Sequence, residues 1–231
     1  MKTIGLLGGM SWESTALYYQ WINELIKEKL GGLHSAKIAM VSVDFQEIED
    51  LQHKGKWDEA GEALSKAAAQ IEAAGADFLV ICTNTMHKVA PQIEATINIP
   101  LLHIADATAD AIKENGISTI GLLGTNFTME QDFYAGRLKA VHGLNVIIPE
   151  KEDRDIVHRV IYDELVLGVV KEESREAYLR IIKELKDRGA EGVIEGCTEI
   201  VMLVEQQHTT MPLFDTTSIH AKKAVEMALA Q

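Results

Sequence analysis

The chain holds two cysteines, Cys82 and Cys197, and each closes an apolar run: "ADFLVICTNTMH" from Ala76 to His87 and "AEGVIEGCTEIV" from Ala190 to Val201. A thiol so placed is a candidate proton acceptor, because free cysteine ionises near pH ~8.5 and the N–H groups of a helix start lower that value. Cys197 stands just before a predicted helix at Thr198, which suits it to the role of base. The neighbouring Thr83 could relay or hold a proton, although a hydroxyl is scarcely ionised without a strong base beside it. Two cysteines more than a hundred residues apart, with eight scattered histidines, match neither zinc-ligand nor CxxC spacing. No metal is expected.

The elements that must position these groups repeat. "KTIGLLGG" and "KIAMVSVDF" are short apolar runs of the kind found as buried parallel strands, and an amphipathic helix capped by Ser11 or Ser14 and stopped at Gly31-Gly32 joins them. A helix over about Asp58 to Ala74, the strand "DFLVICT", a helix from about Met86, the strand "IPLLHIA" and a helix from about Asp106 follow. The second half runs through the same order, with "ISTIGLLGTNF", "LNVIIPE", "GAEGVIEGCTEI" and "MPLFDTTSIHAKKAV" echoing the four strand segments. The pattern predicts an α/β fold of two pseudo-symmetric halves, each a parallel sheet flanked by helices. Residues 1–110 with 212–231 are expected to form one half and 111–211 the other, with ligands in a cleft between them, beyond the carboxyl ends of the strands. The Gly-rich turns lack the full G-x-G-x-x-G spacing and any Walker lysine, so tight turns or carboxylate-holding N–H groups fit them better than a dinucleotide site.

Aligning the two segments by their cysteines gives an offset of 197 − 82 = 115, whereas their strand starts, Gly75 and Gly189, give 189 − 75 = 114. A one-residue slip turns a strand residue to the opposite face. In the strand-start register Cys197 matches Thr83, and Cys82 matches Gly196, so Cys82 is expected to point into the protein.

"LLGGM", "CTNT", "GCTE" and "DTT", taken together over essentially the whole chain, closely resemble the aspartate/glutamate racemase family, in particular its branch of broad-specificity bacterial amino-acid racemases. That resemblance implies racemisation without PLP or another cofactor, two pseudo-symmetric halves, a homodimer, and one cysteine from each half on either side of the substrate's α-carbon. The family's first motif usually reads Cys-Asn-Thr; anchored on Asn84-Thr85, its cysteine falls on Thr83. The expected catalytic residues are therefore Cys197 as base, serving L-substrates by resemblance, and Thr83 on the opposite face as a weaker acid. Expected substrate contacts are Met10 and Ser11 in the first Gly-rich loop, Thr125 in the second, Gln52 after the second strand, and Asn84, Thr85 and Thr198 at strand-to-helix turns whose N–H groups suit a carboxylate or an enolate. For each serine or threonine, a plain helix cap is an equal alternative.

Departures bear on the substrate. Aspartate-specific relatives often grip the side-chain carboxylate with an arginine after the second strand and a lysine near "IYDELVLG"; here neither is present, and His53, Lys54 or backbone N–H groups are the candidate replacements. All six arginines lie at or after Arg137. An isomerase or decarboxylase of a small dicarboxylic acid, or a carboxylate binder without turnover, stands beside the racemase reading. Asp106, Asp215, His220, His87 and His103 lie near the motifs as capping or orienting groups.

Composition narrows the class further. A chain of 231 residues, 47% hydrophobic and 25% charged, can bury one large core or two small ones. Its formal charge of -13 repels nucleic acid and anionic lipid. The start "MKTIGLLGGMSWES" has no secretory pattern, and no segment approaches a membrane span. A cytoplasmic protein acting on a small amino-acid substrate, with no stable disulfide, is the expectation.

Overall fold

The computed structural model describes residues 1–230, and among them the apolar runs form two four-stranded parallel sheets. In the first half the elements are β1 (Ile4–Gly8), α1 (Trp12–Leu30), β2 (Ile38–Ser42), α2 (Phe45–His53), α3 (Trp57–Ala73), β3 (Phe78–Ile81), α4 (Ala90–Glu94) and β4 (Leu101–Leu102). After α5 (Ile104–Glu114) come β5 (Thr119–Gly124), α6 (Asn126–Glu130), α7 (Asp132–His142), β6 (Asn145–Ile147), α8 (Lys151–Asp163), α9 (Glu172–Asp187), β7 (Val193–Gly196), α10 (Ile200–Leu203), β8 (Leu213–Asp215) and α11 (Thr216–Leu229). The sheet orders, β2-β1-β3-β4 and β6-β5-β7-β8, are the same arrangement twice.

The chain divides into two compact units, Met1–Ile104 with His220–Gln231, and Ala105–Ile219. The change of unit thus falls at residue 104 rather than 110, and the return at residue 220 rather than 212. The reason is local: β8 pairs with β7 through Val193↔Leu213 to Glu195↔Asp215, so the segment after Pro212 first completes the second sheet.

Each face of the first sheet is sealed by helices, as the apolar periodicity requires. Leu7, Leu79 and Ile81 pack with Leu64, Ala68 and Ile71 of α3 and Ile93 of α4. On the opposite face Ile4, Leu6, Phe78, Val80 and Cys82 meet Tyr18, Ile22 and Ile26 of α1 and Ala221, Ala224 and Val225 of α11. Each such side chain is fully buried, which stabilises the unit by about 1.5–3 kcal/mol for a residue the size of leucine. Alternation along β3 therefore commits Cys82 to the α1 side of the core.

Candidate active site

In the first unit, β1 ends at a turn that only glycine can make. Gly9 has φ +93°, and a Cβ there would lie 2.2 Å from the Val43 carbonyl oxygen. Ser11 then caps α1, its Oγ accepting from Ser14 N at 3.3 Å, while Thr15 Oγ1 accepts from Gly9 N at 2.8 Å and donates to Ser11 O at 2.9 Å. Ser14 is not the cap; its hydroxyl donates to the Cys82 carbonyl at 3.1 Å, tying this turn to the end of β3. The Met10 side chain is packed in the core, so any contact it makes with a ligand falls to its backbone.

Beyond β3 the chain turns through Cys82-Thr83-Asn84 into a 3-10 turn over Thr85–Val89, shorter than the helix expected from Met86, with α4 following as a separate piece. The Cys82 thiol is buried, and burial alone pushes its pKa far up, so it is no proton acceptor. Thr83 and Thr85 are half-buried and Asn84 is buried. Gln52 follows the second strand as a residue of α2, and its buried amide donates to Met86 Sδ at 2.9 Å. His53 and Lys54 are exposed and engaged with Glu49 and Asp50 of the same helix, both at 2.7 Å.

In the second unit, β5 ends at Gly124 and the next residue, Thr125, caps α6 with Oγ1 accepting from Thr128 N at 3.4 Å. β7 ends in Gly196, and Cys197 follows, half-buried, with Thr198 buried and its hydroxyl 3.0 Å from Thr217 Oγ1. The helix expected to begin at Thr198 and lower the Cys197 pKa is the single turn α10, starting at Ile200. The thiol is instead held well above its ordinary value, first by desolvation, then by the charge of Glu199 and by the hydrogen bond Cys197 Sγ donates to Glu199 Oε2 at 2.9 Å. The backbone N–H groups of Thr198 and Glu199 do pull the other way, as a helix start would, but they are outweighed. At rest the Cys197 thiol is therefore protonated and hydrogen-bonded to the Glu199 side chain.

The sheets fix the register between the two turns. In the first, Gly5 of β1 faces Leu79 of β3; in the second, Gly121 of β5 faces Val193 of β7. Gly5 and Gly121 are the same position of the repeated "TIGLLG", so Leu79 corresponds to Val193 at an offset of 193 − 79 = 114. Carried forward, Cys82 corresponds to Gly196 and Thr83 to Cys197. Residues 7–224 match the Asp/Glu/Hydantoin racemase family. The chain belongs to this family. It is similar to a provisionally assigned Asp/Glu racemase of Yersinia pestis, with 58% identity, both chains covered over 100% of their length and a TM-score of 0.96. An aspartate racemase homologue from Pyrococcus horikoshii OT3 shares 35% identity over 100% of both chains, with a TM-score of 0.87. The broad specificity amino-acid racemase RacX of Bacillus subtilis is 21% identical over 98% of each chain. Membership of the Asp/Glu/Hydantoin racemases supports amino-acid racemisation as the activity, and the two parallel α/β sheets are the fold of the family's solved structures.

Other polar residues near the motifs divide into structural and site-adjacent groups. Arg137 grips Asp106 with two bonds of 2.7 Å and His142 adds a third at 2.8 Å, joining α5 to α7. Asp215 caps α11, accepting from Thr217 N at 2.9 Å and Ser218 N at 3.2 Å. His220 bridges Tyr18 Oη and the Leu102 carbonyl, each at 2.8 Å. Two acids escape a reading by spacing. Glu199 is legible only as the residue after "GCT", and Glu195, buried in β7 opposite Asp215, is pushed up to about 8 by desolvation and by that neighbour. Among the described residues no group of histidines, cysteines and acids could hold a metal ion, and no helix is long and apolar enough to cross a membrane.

Proposed function

We propose that the chain racemises an acidic amino acid, aspartate or glutamate, without PLP, with Cys197 removing the α-proton of the L-enantiomer and Thr83 acting at the opposite face of the α-carbon. The observation that supports this is the common sheet register, which makes Thr83 the counterpart of Cys197 and leaves Cys82 in the core. Racemisation needs an acid and a base on opposite faces of a planar intermediate, and two copies of one strand-end turn are suited to supply them. Cys197 Sγ–H passes its proton to Glu199, and the thiolate takes the α-proton while the electron pair spreads into the substrate carboxylate. The Thr83 hydroxyl gives a proton to the other face and recovers one from water. The N–H groups at Asn84, Thr85 and Thr198 hold the growing enolate charge. Ser11, Thr125, Gln52 and the Met10 backbone complete the binding set. The reading includes a homodimer, checked by light scattering, and a cytoplasmic location.

A thiolate and a hydroxyl are unequal bases, so the two directions of proton removal should differ. In deuterated water, L-aspartate or L-glutamate should lose its α-hydrogen at least ~10-fold faster than the D-enantiomer. Thr83→Cys should raise D-side exchange toward the L-side rate. Equal loss from both enantiomers in the wild-type protein refutes the assignment of unequal groups; no gain in Thr83→Cys refutes Thr83 as the second one.

A further inference from the structure

His87 is almost wholly buried four residues beyond Thr83, and its ring is wired at both nitrogens. Nδ1 lies 2.8 Å from the Thr83 carbonyl oxygen, and the backbone N–H of Ile104 donates to Nε2 at 3.2 Å. Since Nε2 accepts, Nδ1 must carry the hydrogen and donate to Thr83. The imidazole is neutral: burial, the nearby rings of His103 and His220, 4.5 and 5.9 Å away between centroids, and the Ile104 donor all oppose a second proton. The carbonyl it holds belongs to the peptide plane joining Thr83 to Asn84. A planar trans peptide aims its C=O and N–H in opposite directions, so fixing the one fixes the other. In the second unit the counterpart of His87 at the offset of 114 is Val201, which has no ring to offer, and the Cys197 carbonyl accepts only from the main chain in the bonds described, from Ile200 N at 3.1 Å.

We infer that His87 is a positioning residue for the Thr83 side of the reaction: its Nδ1–H holds the Thr83 carbonyl, and so sets where the Thr83 hydroxyl hangs. Ile104, by occupying Nε2, selects the tautomer that can do this. The role rests on the racemase reading, and it is one-sided. It bears on proton delivery by Thr83, not on proton removal by Cys197.

That one-sidedness gives a test that general damage would not mimic. With L-aspartate in deuterated water, proton return from the Cys197 side yields deuterated L-aspartate, while delivery from the Thr83 side yields D-aspartate. The ratio of D-aspartate formed to deuterium gained by residual L-aspartate isolates the Thr83 side. An asparagine amide can place its nitrogen near the Nδ1 position, whereas a glutamine amide places its polar atoms near Nε2. His87→Asn should keep the ratio within ~3-fold of wild type, and His87→Gln should lower it by ~10–100-fold, the scale of a misplaced reacting group. Equal ratios in His87→Gln and wild type, or an equal fall in the two variants, overturn the inference. Ring 15N spectra of the wild-type protein should show the Nδ1–H tautomer, and an Nε2–H ring overturns it independently of activity. Wild-type protein that exchanges no α-hydrogen from either acidic amino acid refutes the functional reading, a failure distinct from any change in the ratio.

Discussion

Replacing Glu199 with glutamine asks how much of the Cys197 chemistry belongs to its neighbour. The thiol donates to Glu199 Oε2 at 2.9 Å, and the charge of the carboxylate and that bond together reinforce the effect of desolvation on it. Two unit charges ~4 Å apart at an effective dielectric near ~20 interact by ~4 kcal/mol. One pH unit corresponds to ~1.36 kcal/mol, so the ceiling is about three units. Glu199 is half-buried, and solvent screening reduces the expected shift to about 1–3 units. Its direction is downward, because a carboxylate disfavours a thiolate beside it and glutamine does not. The assay is the rate of alkylation of Cys197 by iodoacetamide against pH, read by mass spectrometry. Cys82 is silent in the core, and Cys197→Ser supplies the blank. A midpoint that stays or rises refutes the electrostatic argument. Turnover separates two roles of the carboxylate: if Glu199 receives the Cys197 proton during reaction, α-hydrogen exchange from L-aspartate falls in Glu199→Gln although the thiolate is freer. Faster exchange would show that the acid merely suppresses the base.

Cys82→Ala should cost about 1–2 kcal/mol of stability through a small core cavity, while α-hydrogen exchange stays within ~3-fold; a collapse of exchange in a folded variant would return Cys82 to the chemistry. Glu195 is protonated in the fold up to about pH 8 but ionises from its ordinary value of 4.5 when unfolded, so the unfolded chain binds fewer protons in that window and stability falls as pH rises through it. Glu195→Gln should flatten that fall, by about 3 kcal/mol between pH ~4.5 and ~7, in denaturant melts. If wild type and variant show parallel pH profiles, Glu195 is not the group responsible. Gly9→Ala should destabilise by about 2–4 kcal/mol, since its positive φ and the Val43 carbonyl leave no place for a methyl group; a melt within ~0.5 kcal/mol of wild type would refute that.

The repeat, and with it two parallel sheets flanked by helices, was legible because buried parallel strands leave unbroken apolar runs, whereas the order of the strands within each sheet was not. The offset of 114 was legible from the strand starts Gly75 and Gly189, and the pairing of each third strand with its first strand gives the same value. Short helices were not. "TMHKV" and "EIVML" carry helix-forming residues, yet each follows a strand-end turn and gives only a 3-10 turn or a single α-turn before the chain must change direction. Without the length of a real helix, the expected depression of the Cys197 pKa did not survive desolvation, reinforced by a carboxylate two residues away. Tertiary bonds lay beyond local pattern as well, since nothing in the spacing of His87 and Ile104 signals that one fixes the tautomer of the other.

The two turns share a backbone but not an electrostatic setting, and the difference lies in side chains that the repeat itself aligns. Behind Thr83 stand Ile81 in β3 and His103 after β4; at the matching places behind Cys197 stand Glu195 in β7 and Asp215 in β8. Burial keeps Glu195 protonated at neutral pH and pushes Asp215 up too, which spares Cys197 part of the negative charge its neighbours could carry. Glu199 is then the acid that governs the thiol, while on the Thr83 side a neutral imidazole fixes the main chain and adds no charge. A hydroxyl gains little from a charged neighbour unless that neighbour is a base in contact with it, whereas a thiol gains or loses its anion according to the charge beside it. Geometry is what the Thr83 turn can supply and charge control is what the Cys197 turn requires, so the same strand-end frame has been fitted with a positioning group in one copy and an ionisable one in the other.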